Sequence, residues 1–173
     1  MCVFYYIQIF LENKELKIHV AASTGSGPTE LSAFDNALFN VGAANYNLLC
    51  LSSVIPPASE IIEYEGAIDS IEGQWGDKLY VVRAEYRQST PGKEAWAGIG
   101  WVQDSESHKG LFVEHEGESR EELVSNIQDS LKTLMDTRGI DLGQIHMRIS
   151  GVTCEDKPVC ALVMAIYQSE GWK

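Results

Sequence analysis

Basic residues are scarce in this chain. Thirteen Lys and Arg stand against 25 Asp and Glu, for a formal net charge of −12. Binding along a phosphate backbone needs clustered cations, so nucleic acid is excluded as a partner. The surplus carboxylates either raise the local concentration of a cationic substrate or simply keep the protein soluble; composition leaves both open. Cysteine is sparse as well. The four cysteines, at positions 2, 50, 154 and 160, form no CxxC pair. Neither a metal site nor a disulfide framework is therefore expected. Cys50, Cys154 and Cys160 fall in apolar runs and are predicted to be small core residues. No segment is apolar over the length a bilayer requires. The N-terminal stretch MCVFYYIQIFLENKELK has no basic region before its short apolar run and no small-residue cleavage site after it. A soluble, cytoplasmic protein with no membrane partner is expected.

What remains is ordinary globular material. The 173 residues are 45% apolar and 22% charged, which suits a single domain over residues 1–173 or one subunit of an oligomer. Lys17 to Ala22 reads as a strand, followed by a Gly-rich turn at Ser23 to Pro28. A helix begins near Thr29, with Leu31, Phe34, Leu38 and Val41 as a core-facing stripe and Gly42 as its stop. Asp35 lies beside that stripe. Tyr46 to Ile55 is a β-prone, buried-looking run ended by Pro56 and Pro57. Acidic loops with short pieces of strand follow to Gly76. Lys78 to Arg87, Glu94 to Val102 and Gly110 to Glu116 read as strands. Ser119 and Glu122 form a capping box ahead of a second helix, whose stripe is Leu123, Ile127, Leu131 and Leu134 and whose stop is Gly139. Ile145 to Thr153 and Val159 to Tyr167 close the chain as strands. The order predicts a mixed α/β domain of the α+β type with strands in the majority.

Three places carry possible chemistry. Ser52 and Ser53 end the apolar run, where each hydroxyl needs a partner; hydrogen bonds to nearby backbone would satisfy them. No G-x-S-x-G turn exists, and no spacing ties His19, His108, His115 or His146 to a serine. Gly25-Ser26-Gly27 before a helix is a possible anion cradle, or a tight turn that needs positive φ angles. Glu114 and Glu116 alternate with His115, so one strand face carries two carboxylates. Packed among apolar neighbours, such a group would be suited to delivering a proton near neutral pH; at a fraying strand end it would only be solvated.

Together these pieces resemble one family. GSGPTELSAFDNALFNVGAANYNLLCLSSVIPP is similar to the signature region of pyruvoyl-dependent arginine decarboxylases, matching at Thr29, Leu31, Ala33-Phe34-Asp35, Asn45, Asn47, Ser52-Ser53 and Pro56-Pro57. GLFVEHEG, at 110–117, resembles the family's E-x-E-G segment. Residues 58–109 match loosely and residues 1–15 not at all, and Ala43-Ala44 replaces a more usual apolar-Gly pair.

The resemblance implies an αββα sandwich, sheets inside and helices outside, assembled as a homo-trimer or hexamer with sites between subunits. It implies self-cleavage into 1–52 and 53–173. The Ser53 hydroxyl attacks the Ser52 carbonyl, and β-elimination and loss of ammonia leave a covalent pyruvoyl group at 53, so neither metal nor pyridoxal phosphate is required. That carbonyl joins the substrate α-amine and accepts the electron pair left by CO₂, turning L-arginine into agmatine. On the same basis Glu114 reprotonates the carbon, Asn47 orients the pyruvoyl, and Asp35 faces the guanidinium. Leu31, Leu38 and Val54 line the pocket. Two other readings stand: a pyruvoyl-dependent decarboxylase of another amino acid, and an uncleaved structural paralogue.

Overall fold

The computed structural model describes residues 15–173, so the N-terminal apolar run and Cys2 lie outside it. Its elements run β1 (Leu16–Ser26), α1 (Glu30–Val41), β2 (Asn47–Cys50), β3 (Val54–Ile55), β4 (Ser59–Tyr64), β5 (Lys78–Gln88), β6 (Glu94–Gln103), β7 (Gly110–Gly117), α2 (Arg120–Arg138), β8 (His146–Thr153) and β9 (Val159–Glu170). The strands form two sheets, ordered β2-β5-β9-β1-β4 and β3-β7-β6-β8. Among the described residues no helix is long and apolar enough to cross a membrane.

Three apolar clusters define the layers. The middle one joins the inner faces of the two sheets, with Ile18, Val20, Val82 and Val163 meeting Ile99, Trp101 and Phe112. A second seats α1 on the outer face of the five-stranded sheet through Ala33, Ala37 and Val41. The third seats α2 on the four-stranded sheet through Leu123, Ile127 and Leu131. The result is the αββα sandwich. β9 is the middle strand of its sheet and is covered on both faces, which is why it reads as the unbroken run VCALVMAIY.

Both helices begin and end where local chemistry directs. Thr29 caps α1 in a reciprocal box with Ser32, and Gly42 closes it with a left-handed φ of 91°. Ser119 caps α2 by accepting the Glu122 N–H, and Gly139 ends it at φ 61°.

Several expectations are corrected. Leu31 is not on the core face of α1; it is 68% exposed, and Ala33 and Ala37 take the buried positions. The reason lies beneath the helix. A Cβ at Gly25 would stand 2.2 Å from the Ala33 carbonyl oxygen and 2.3 Å from the Ala37 nitrogen. The helix backbone thus rests on β1 itself, and only small side chains fit between. Neither Gly25 nor Gly27 has a positive φ, so close approach is what these glycines supply. The run Tyr46 to Ile55 is two strands rather than one, and its first half is an exposed sheet edge. Cys50 is accordingly exposed, whereas Cys154 and Cys160 are buried. β8 and β9, adjacent in sequence, lie in different sheets.

Candidate active site

The site forms where the chain leaves one sheet for the other. β2 runs parallel to β5 in the register Asn47–Lys78 to Cys50–Val81. Leu51 still donates its N–H to the Val81 carbonyl at 2.8 Å. Three residues later β3 pairs antiparallel with β7, Val54 opposite Leu111 and Ile55 opposite Gly110. Ser52 and Ser53 bridge the gap, and Pro56 ends the second pairing by offering no N–H.

Ser53 is strained. Its φ is +64°, a left-handed conformation that an L-residue with a Cβ adopts at a cost of roughly 1–2 kcal/mol. Neighbours hold it there. The Phe112 N–H donates to the Ser53 carbonyl at 2.8 Å, and the Ser53 hydroxyl donates to the Glu114 carboxylate. Glu114 is placed by register: it lies on β7 opposite Ile99 of β6. Strand alternation sends Phe112 and Glu114 to the inner side of the sheet, and Val113 and His115 to the α2 side. His115 accordingly meets Ser130 of α2 at 2.8 Å. A cavity of about 600 Å³ opens here, walled by Ser52, Ser53, Val54 and Glu114 and, from α2, by Asn126, Asp129 and Thr133.

Four of the residues singled out in the sequence, Ser52, Ser53, Val54 and Glu114, therefore meet at one cavity. The other four do not reach it within the chain. Leu31 and Asp35 sit exposed on α1, across the five-stranded sheet from the inter-sheet layer. Leu38, 7% exposed, packs under that helix. Asn47 starts β2, where its amide donates to the Gly76 carbonyl at 2.5 Å; six extended residues put it about 20 Å from Ser53. Glu116 is exposed further along β7.

One close neighbour escaped sequence reasoning. The Tyr167 hydroxyl donates to the Val54 carbonyl at 3.0 Å. Burial, with Glu114 adding to it, raises the pKa of this phenol above the ordinary tyrosine value. In the sequence Tyr167 is only the end of an apolar strand; the sole signal is that a buried tyrosine must place its hydroxyl somewhere.

The profile of the pyruvoyl-dependent arginine decarboxylase family matches residues 17–170, a span that contains all of these residues. The chain belongs to this family. Pyruvoyl-dependent arginine decarboxylases of known sequence match over three quarters or more of their length. That of Thermococcus kodakarensis is 31% identical over 148 residues, 85% of this chain and 91% of its own. That of Halobacterium salinarum is 32% identical over 153 residues, 87% and 93% of the two chains. The Methanocaldococcus jannaschii protein is 31% identical over 135 residues, 75% and 76%. Among solved structures, a pyruvoyl-dependent histidine decarboxylase aligns with a TM-score of 0.44 at 12% identity, over 81% of this chain and 62% of that one.

Proposed function

We propose that this family member cuts itself between Ser52 and Ser53 and decarboxylates L-arginine with the group formed at position 53. The observation that carries the reading is Ser53 itself: a serine in a left-handed conformation whose hydroxyl is aimed at a carboxylate. A hydroxyl donating to Glu114 is poised to lose its proton as it attacks the neighbouring carbonyl. Relief of backbone strain favours the break. The site fits a pyruvoyl group, since Ser53, from which the group would form, lines an open cavity. Such a group supplies an electron sink for the pair left behind by CO₂.

The protein's own residues do the rest. Glu114, which would relay the serine proton to the freed amine, is also placed to deliver a proton to the substrate carbon after CO₂ leaves. Val54 and the α2 wall line the space in which that carbon would sit. Asp35 binds the guanidinium, and Asn47 orients the reacting end. Both stand on the exposed outer surface of the protomer with Leu31, 68% exposed, Phe39, 71%, and Leu49, 40%. That exposure supports a homo-trimeric site in which one subunit's α1 and β2 face its neighbour's Ser53. Leu38, beneath α1, would support that wall from behind.

The test is intact mass under denaturing conditions followed by turnover. Two chains, 1–52 and 53–173, are expected, the second lighter by one ammonia than a serine-initiated chain, together with release of CO₂ and agmatine from arginine. A single uncut chain would sink the reading. Cut protein that ignores arginine would leave the cleavage and overturn the substrate.

A further inference from the structure

Tyr167, 8% exposed, ties the middle strand of one sheet to the edge strand of the other, one residue beyond Ser53. The backbone that presents it is irregular. β5 pairs Tyr80 with Gln168 and Val81 with Ile166, which leaves Tyr167 as the extra residue of a bulge. Bulges re-aim side chains and gather next to active sites. The same bulge flanks Val81, whose carbonyl anchors Leu51. The ring of Tyr167 also meets Phe112 edge-on, centroids 6.3 Å apart, and Phe112 supplies the N–H that holds the Ser53 carbonyl.

We infer that Tyr167 is a positioning residue for the self-cleavage: by gripping the Val54 carbonyl it prevents Ser53 from relaxing before its hydroxyl attacks. The inference rests on the self-cleavage proposed above. The peptide bond between Ser52 and Ser53 is held from both sides. Leu51 is fixed to β5 upstream, and two successive carbonyls, of Ser53 and Val54, are fixed downstream. In the first step the Ser53 oxygen bonds to the Ser52 carbonyl carbon, the C–N bond breaks, and the hydroxyl proton ends on the freed amine. An amide becomes an ester with no other reactant. An unstrained amide resists that exchange, so the clamp matters most before the bond breaks. The high phenol pKa keeps Tyr167 a donor throughout the neutral range.

Tyr167→Phe deletes the donor and keeps the ring. Cleavage of the newly made chain, followed by denaturing mass spectrometry, is expected to slow on the order of tenfold. The fraction of chain trapped by hydroxylamine as an ester should fall with it. Tyr167→Met, lacking both ring and donor, should be slowed at least as much. Val163→Ala controls for stability: it opens the same inter-sheet core without touching the crossing, and should lower the melting temperature yet cut at the normal rate. Wild-type cutting rates in both Tyr167 variants would overturn the inference, as would equal slowing in Val163→Ala. An uncut wild-type chain would instead defeat the self-cleavage reading.

Discussion

Replacing Ser53 by alanine or by glycine deletes the same hydroxyl, so both chains lose the bond to Glu114 and neither can cut itself. The two variants differ only in the backbone. At φ +64° alanine keeps a Cβ in the left-handed region, which costs about 1–2 kcal/mol. Glycine escapes that cost but has the more mobile unfolded chain, which offsets about 0.4–1 kcal/mol. The balance favours Ser53→Gly by ~1 kcal/mol, or a melting temperature higher by roughly 2–4 °C in a chain of this size. The comparison calls for scanning calorimetry at equal protomer concentration, because assembly also contributes to stability. Denaturing mass spectrometry should find the full 173-residue chain in both samples. An alanine variant as stable as the glycine variant would mean that no strain is stored at this serine. Cleavage in either would mean that another group is the nucleophile.

Asp35→Ala should process normally and bind arginine poorly, with kcat/KM down about 10- to 100-fold from loss of a charge-assisted pair; wild-type turnover would end the guanidinium assignment. Gly25→Ala drives a Cβ into the α1 backbone, 2.2 Å from the Ala33 oxygen, and should cost at least about 1–3 kcal/mol in thermal melts. Glu170 has its pKa lowered by hydrogen bonds from Lys78 and Tyr80. Its folded pKa lies below the unfolded one, so the stability it adds is present above the usual glutamate range and is lost as pH falls through the folded value. Glu170→Gln should therefore flatten the acid side of the melting-temperature profile; an unchanged slope would rule out this pair as a contributor.

How much of this is legible in the sequence depends on whether a signal is local. α2 is legible because its cap, stripe and stop all sit within the helix: Ser119, Leu123, Ile127, Leu131, Gly139. α1 is legible in extent but not in face. Counting large apolar residues selects Leu31, while the packing selects Ala33 and Ala37, because a glycine on another element lets the helix come close. The break inside Tyr46 to Ile55 leaves no local mark, since both halves are equally β-prone and only their later partners, β5 and β7, separate them. Ser52, Ser53 and Glu114 stand out through the resemblance of their motifs. Tyr167 does not, because its role arises from a bulge, and a bulge exists only between two strands.

The position of β1 gives the proposed cut a consequence for folding. β1 lies inside its sheet, hydrogen-bonded to β9 on one side and β4 on the other. Once the bond after Ser52 is broken, β1, α1 and β2 belong to one molecule and their partner strands to another. Interlocked strands keep the pieces together, but the tether that brought them together is gone. Refolding a melted protomer then becomes a bimolecular search, where first folding was unimolecular. The stability of the mature protein would then depend on the concentration of the two pieces as well as on the contacts between them.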